Sequence, residues 1–243
     1  MRKKIDKNHE FNHFHELSDE WWDPNGKFKI LHILNPLRIK YIKNNICKTH
    51  RNVTKHKILK GLEILDLGCG GGLVCEPLTR LGAKVTGIDF VKKNISIAKH
   101  HARVSKLDIK YINQDLFSIK LKNKFDIILM LEVIEHLNNW ESIVNKILKF
   151  LKPKGRVIFS TINRTIYSKI FAIYLAEEVL KWIPRNTHKY EKLVTPKELT
   201  YFLEKSNMKV LDTTGLVFNP FLKEWSLNQK LTKINYFCTA QKN

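Results

Sequence analysis

Cysteine is scarce and scattered. The four, Cys47, Cys69, Cys75 and Cys238, form no CxxC pair, so neither a zinc ribbon nor a disulfide framework is suggested, and a reducing cytoplasm fits best. Long apolar runs are missing as well. The most apolar stretch, Ile166 to Ile183, carries Lys169, Glu177, Glu178 and Lys181, and its uncharged core Ile170–Ala176 is far short of the roughly 20 residues a membrane-spanning helix needs. The first dozen residues are charged and polar with no apolar segment behind them, unlike a secretory signal. No internal repeat or low-complexity linker interrupts the chain, which reads as one domain with an N-terminal extension over 1–60.

Acidic residues are few. Against 43 lysines and arginines stand 23 aspartates and glutamates, a net charge of +20 over 243 residues. Such an excess suits a nucleic acid or an anionic membrane. It equally suits lysines spread over every solvated face. The lysine-rich runs Lys120–Lys124 and Lys146–Lys154 mix lysine with core residues and lack the arginine and aromatic interleaving of a strand-binding surface, so no nucleic-acid partner is expected. Apolar residues at 43% and aromatics at 10% exclude a disordered chain.

From Leu62 onward, short apolar runs alternate with amphipathic segments. The runs are Leu62–Leu67, Lys84–Ile88, Ile109–Ile112, Phe125–Leu131 and Arg156–Thr161; helical patterns fall at Gly72–Leu81, Val91–Ser105 and Trp140–Leu151. Parallel strands buried on both faces read as continuous Val/Ile/Leu runs, and the alternation is that of a doubly wound α/β sheet. Two further runs, Lys209–Phe218 and Lys233–Ala240, have no clear helix between them and predict an antiparallel hairpin at the sheet edge. The expectation is a mostly parallel seven-stranded sheet over 61–243, with a helical insert at about 164–190. The extension holds Trp21, Trp22 and Phe28, and then a helix opening at Asn35-Pro36, where the missing proline N–H does no harm near a helix start.

The first strand runs into Asp66-Leu67-Gly68-Cys69-Gly70-Gly71-Gly72. A glycine-rich turn between strand and helix brings backbone amides close to a ligand. The third glycine of a dinucleotide GxGxxG would fall at Leu73, and no Gly-Lys-Ser/Thr follows, so both the dinucleotide and the P-loop readings fail. The second strand ends in Asp89, a carboxylate placed to accept hydrogen bonds from a ribose diol. The third is followed by Gln114-Asp115-Leu116, where Asp115 offers an acceptor for an adenine amino group.

These spacings resemble the class I S-adenosylmethionine-dependent methyltransferases, with Phe125–Leu129 as the fourth strand and Lys152-Pro153-Lys154-Gly155 as the turn into the fifth. Glu20-Trp21-Trp22-Asp23, Phe28 to Arg38, Glu132–His136, Ser160–Arg164 and Thr187-His188 narrow the resemblance to the branch that O-methylates phenolic intermediates of ubiquinone biosynthesis. The resemblance implies S-adenosyl-L-methionine as methyl donor, contacted by Arg38, Gly68, Asp89 and Leu131, with Gly70 in the same loop and residues 1–60 completing the active site. Its implied acceptors are 2-polyprenyl-6-hydroxyphenol and 3-demethylubiquinol. Leucine at 131 replaces the methionine of many relatives, a nearly volume-conserving swap.

Glu132, Glu135 and His136 are the candidate catalytic group. If a helix starts after the fourth strand, offsets of three and four bring them to one face. Two carboxylates and an imidazole suit a hard dication such as Mg²⁺, which would chelate a catechol and favour its phenolate; resemblance to eukaryotic relatives implies the same metal role. His136 acting directly as general base is the alternative, and a capped helix start is the third reading. Asn163 and Arg164 are placed to orient substrate oxygens or to cap a helix, and His188 is a weaker candidate. The insert from Tyr167 to Arg185 sets Phe171, Leu180 and Trp182 between Lys169, Lys181 and Arg185, a pattern for an anionic membrane surface or for a core cover or dimer contact. A cytoplasmic enzyme held peripherally at the inner membrane follows, with other quinone-biosynthesis enzymes as candidate partners. The rival readings are a methyltransferase acting on RNA or another small aromatic, and a non-catalytic membrane assembly subunit.

Overall fold

In the computed structural model, residues 18–47, 57–168, 190–219 and 221–243 are described. They form two compact units, one from the described parts of Met1–Ile39 and Arg51–Lys120, the other from those of Lys40–His50 and Leu121–Asn243. Most of the expected insert, with His188, lies outside the described residues. One helix, α1 (Lys29–Cys47), supplies residues to both units. It starts earlier than Asn35, so Pro36 stands in its interior, where it removes one i→i−4 donor rather than an already orphaned N–H.

The first unit is a strand–helix–strand–helix–strand succession: β1 (Glu63–Leu67), α2 (Cys75–Arg80), β2 (Lys84–Asp89), α3 (Lys92–Val104) and β3 (Lys110–Asn113). β2 lies between β1 and β3 and is parallel to both. Ile64, Leu65 and Leu67 are wholly buried, which is why β1 shows no alternation. The amphipathic α3 turns Ile95, Ala98 and Ala102 inward, spacings of three and four that put them on one stripe.

The second unit holds β4 (Phe125–Leu131), α4 (Trp140–Leu148), β5 (Leu151–Ile162), α5 (Pro196–Lys205), β6 (Met208–Asn219), β7 (Glu224–Asn228) and β8 (Asn235–Lys242). Its strand order is β4-β5-β8-β6-β7. β4 and β5 are parallel, while β8 runs antiparallel to both β5 and β6. The α/β class and the antiparallel C-terminal strands are as expected, with two corrections to the expected seven strands. An eighth, β7, pairs with β6 and forms the edge. The last strand is an interior one, and Tyr236, Phe237, Cys238 and Ala240 on it are buried. The Lys152–Gly155 segment is an irregularity inside β5 rather than a turn before it: the pairing with β4 jumps from Phe125–Leu151 to Ile127–Arg156, and Lys154 takes φ 60°.

Helix α5 is an element the sequence reading passed over. Its start carries a full capping box: Thr195 accepts from the Glu198 N–H and the Glu198 carboxylate accepts from the Thr195 N–H at 2.9 Å. Thr-Pro-Lys-Glu ahead of an apolar stripe is a sequence signature of a helix N-terminus.

Candidate functional site

The glycine loop is tied to the strand beside it at three points. Gly68 and Cys69 donate their backbone N–H groups to the Ile88 carbonyl at 2.8 and 3.0 Å, and Gly70 donates to Asp89 Oδ2 at 3.0 Å. Gly70 stands at φ 53°, and a Cβ there would lie 2.4 Å from the Trp21 ring. Both the left-handed backbone and the approach of the indole therefore require glycine. Trp21 stacks on Phe28 with ring centroids 3.9 Å apart. Its neighbour Trp22 donates to the Gly71 carbonyl at 2.9 Å and stacks on His101, whose Nδ1 is 2.6 Å from the buried Glu76. The described part of the N-terminal segment thus covers the loop with two indoles.

Asp89 ends β2 as expected, and its carboxylate is already engaged. Oδ1 accepts from Val91 N–H at 2.8 Å and from Asn94 Nδ2 at 3.3 Å, while Oδ2 accepts from Gly70. An ionised carboxylate offers about four acceptor positions. Three of these are met by the protein's own donors, which fix the orientation of the carboxylate. Burial pushes the Asp89 pKa up, and the hydrogen bonds from Val91, Gly70 and Asn94 oppose the rise. Asp66 on β1 is buried too and is pushed up to about 6, against the pull of the Cys75 thiol, which donates at 3.2 Å, and of the Arg38 charge. Arg38 itself is buried on α1. Asp115 caps the short turn Leu116–Ser118 by accepting from Phe117 N–H at 2.9 Å; that cap occupies part of the carboxylate assigned to adenine. Cys69 and Cys75 are buried free thiols, and burial pushes Cys69 up to about 11, which keeps it protonated and unreactive.

In the second unit, Leu131 closes β4 and is buried. The helix expected over Glu132–His136 is instead a single 3-10 turn, Ile134–His136, and Glu132 lies ahead of it at φ 55°. The three side chains therefore share no helical face. Glu132 accepts from the Ser160 hydroxyl on β5. Glu135 turns inward, is 3% exposed, and accepts from Thr161 Oγ1 at 2.8 Å through Oε2, while its Oε1 is buried with no hydrogen-bond partner among the described residues. Burial first, and the Glu132 charge second, push the Glu135 carboxyl up to about 8, and the charge of His136 opposes them. A hard dication takes ionised oxygens that converge on it. Among the described residues no group of three or more His, Cys, Asp and Glu side chains is arranged to hold a metal ion, and Glu132 and Glu135 are each engaged by a separate hydroxyl of β5. The Glu132–Glu135–His136 set does not fit Mg²⁺.

Asn163 is buried and donates to the Thr232 carbonyl at 2.8 Å, fastening the end of β5 to the loop before β8. Arg164 pairs with Glu198 at the start of α5. The sequence reading missed Asn94, Ser160 and Thr161 as partners of the site residues and assigned no role to Trp21. The signal for Asn94 was its position five residues after Asp89, in the first turn of the helix that β2 feeds.

A family model described as a methyltransferase domain matches residues 39–213. The chain is 44% identical over 242 residues, covering 100% of itself and 98% of its relative, to the ubiquinone biosynthesis O-methyltransferase of Pelagibacter ubique. It is 44% identical over 229 residues, 94% of itself and 90% of its relative, to the protein of the same name from Bradyrhizobium diazoefficiens. Among solved structures, the magnesium protoporphyrin IX methyltransferase of Synechocystis with bound S-adenosylmethionine superposes with a TM-score of 0.67 at 16% identity, over 98% of this chain and 97% of that one. The PH0226 protein of Pyrococcus horikoshii gives 0.62 at 18% identity, over 95% and 98%. Those two show the fold alone, the Rossmann-like class I methyltransferase fold; the sequence relatives show more, and the chain belongs to the ubiquinone biosynthesis O-methyltransferase family of S-adenosylmethionine-dependent enzymes.

Proposed function

We propose that this enzyme methylates a phenolic hydroxyl of 2-polyprenyl-6-hydroxyphenol and of 3-demethylubiquinol. The reading is carried by the full-length match to relatives named for ubiquinone biosynthesis, and the glycine loop clipped to Asp89 through Gly70 supports it. Asp89 takes the ribose diol, Gly68 and Gly70 let the donor approach the backbone of the loop, and the buried Arg38 supplies positive charge for the donor carboxylate. Asp115 and Leu131 are the residues assigned to adenine. Residues 1–60 complete the site.

Phenols ionise near pH 10, so transfer at neutral pH needs a proton acceptor. His136, partly exposed at the end of its 3-10 turn, takes the phenolic proton. The phenolate oxygen then attacks the methyl carbon in line as the carbon–sulfur bond breaks, its electron pair staying on sulfur to give S-adenosylhomocysteine. Glu135 acts on His136 only in its ionised form, which burial disfavours. The field of His136 favours ionised Glu135, and by reciprocity an ionised Glu135 favours the imidazolium. Glu132, held by Ser160, keeps negative charge close to the pair.

An assay with a short-chain polyprenyl catechol and methyl-labelled donor tests the reading. We expect turnover in the parent and at least a hundredfold loss in His136→Ala, with the affinity for donor changed by less than about 1 kcal/mol, because uniform donor binding does not depend on this group. A chelator should leave turnover unchanged. Loss of turnover with chelator and its recovery with Mg²⁺ would overturn the metal-free step. Methylation of RNA but of no phenol would overturn the substrate.

The proposal extends to location. No described helix is long and apolar enough to cross a membrane, and the segment Tyr167–Arg185, most of it outside the described residues, is the surface contact that brings the enzyme to its polyprenylated substrate at the inner membrane, alongside other enzymes of quinone biosynthesis.

A further inference from the structure

The irregular stretch of β5 concentrates positive charge over one cavity. The strand leaves its pairing with β4 after Leu151 and rejoins it at Arg156, and the excursion carries Lys152 and Lys154 ahead of Arg156. Gly155 lets it fold tightly, since a Cβ there would lie 2.9 Å from the Lys152 carbonyl oxygen and 3.1 Å from that of Asp126. Gln241 on β8 donates to the Lys154 carbonyl at 2.9 Å and so helps hold Lys154 at φ 60°. A cavity of about 220 Å³ results, lined by Asp126, Lys154, Gly155, Arg156, Gln241 and Ile46. Asp126 opens β4 and Glu132 follows its end. At about 3.3 Å per residue the cavity therefore lies about 20 Å from the Glu132–His136 rim, at the opposite edge of the sheet.

Arg156 is 6% exposed. Its Nη1 donates to the Asn45 carbonyl, and among the described residues no carboxylate pairs with it. Asp126, the carboxylate in the lining, is held by Lys152 Nζ at 2.8 Å. A guanidinium carries five N–H donors and keeps its charge in proteins. Burial opposes that charge, and a buried cation costs stability unless something negative answers it. Exposed Lys154 adds a second cation, in a left-handed conformation that glycine would take without strain. With Lys152 and Asp126 neutralising each other, the lining is positive. We propose that this cavity is a binding site for a small phosphate-type oxyanion, gripped inside by the Arg156 fork and outside by Lys154. The planar fork matches two oxygens of one such anion, and the volume holds it with a few waters. The site is separate from the donor and acceptor sites and independent of the methyl-transfer reading.

Calorimetry of the full chain with inorganic phosphate, at an ionic strength held constant with chloride, tests it. The parent should bind one phosphate saturably. Arg156→Met should weaken that binding about tenfold or more, the loss of charge-assisted hydrogen bonds, and Lys154→Gly about threefold or more. Lys154→Gly keeps the backbone at ease and serves if Arg156→Met fails to fold. Thermal melts give a second reading: phosphate should raise the melting temperature of the parent above its value in chloride, and the shift should vanish in Arg156→Met and shrink in Lys154→Gly. Saturating S-adenosylhomocysteine should leave the phosphate affinity unchanged. Glycerol 3-phosphate identifies the source of the anion, binding more tightly than phosphate if the site takes an ester or a lipid headgroup and more weakly if it takes the free ion. Absence of saturable phosphate binding in the parent would overturn the proposal. So would binding that survives both substitutions unchanged, or competition with S-adenosylhomocysteine, which would move the phosphate to the donor site.

Discussion

Two glycines separate what backbone conformation costs from what a neighbouring ring costs. Gly61 and Gly70 both stand in the left-handed region, at φ 85° and 53°, but a Cβ on Gly61 meets nothing within 4 Å while one on Gly70 collides with Trp21. Gly61→Ala should lose roughly 1–2 kcal/mol, the left-handed penalty alone. Gly70→Ala should lose about 2–4 kcal/mol, because overpacking adds to that penalty, and should weaken donor binding as well. Urea titration of both variants makes the comparison. Asp66 gives a pH signature. Its folded pKa, about 6 against 3.8 for the free side chain, means that the fold binds its proton more tightly than the unfolded chain does. Its contribution to stability is full below about pH 4 and is lost as pH rises through 6, by roughly 2–3 kcal/mol. The parent should therefore lose stability relative to Asp66→Asn between pH 4 and 7. A parent-minus-variant difference that stays flat over that range would mean Asp66 ionises in the fold as freely as in water.

Elements differ in how plainly the sequence announces them. β1 and β4 carry apolar runs, most plainly Ile127–Leu131, legible because the strands are covered on both faces, and α3 and α4 follow from stripes such as Ile143, Val144, Ile147 and Leu148. β7 was not legible. Its five residues, Glu224-Trp225-Ser226-Leu227-Asn228, pair with β6 alone, and a half-exposed edge strand needs no apolar run. The order of the last strands was hidden for a different reason, since adjacency of β8 to β5 is set by pairing between segments more than seventy residues apart. At the site, Asp89 and the glycine loop were readable from the strand–turn–helix spacing. The acidic motif misled, because offsets of three and four carry meaning only inside a helix, and Glu132 sits before the turn at a positive φ. α5 was legible and overlooked. Thr195→Ala should remove the capping box and destabilise the protein by about 1 kcal/mol. Glu198→Gln should cost less at that cap, because an amide oxygen still accepts from the Thr195 N–H, but it also loses the ion pair with Arg164. Thermal melts of the two single variants and the double variant would apportion the two contacts.

At the scale of the whole chain, a net charge of +20 acts over distance rather than through any one pair. If the charge serves attraction to anionic lipid, binding to vesicles rich in acidic headgroups should weaken steeply between 50 and 300 mM salt, as screening shortens the reach of each lysine. Deleting Ile170–Ile183, or introducing Phe171→Asp with Trp182→Asp, should abolish sedimentation with those vesicles at every salt concentration and leave donor affinity nearly intact. Equal sedimentation of variant and parent would make that segment a core cover or a dimer contact instead. The scale of the chain also governs the order of events in its making. β8 follows β6 and β7 in the chain and lies between β5 and β6. Until residues 235–242 leave the ribosome, β6 and β7 can form a hairpin but have no strand joining them to β5, whose outer edge stays bare, with Val157, Ile158 and Phe159 still awaiting their neighbours. An exposed apolar edge is a template for pairing with other chains, and closing it is a long-range contact that forms slowly. The nascent polypeptide therefore carries that unpaired edge from the time β5 emerges until residues 235–242 do, and the pairing of β8 decides whether the second unit closes or associates with other chains.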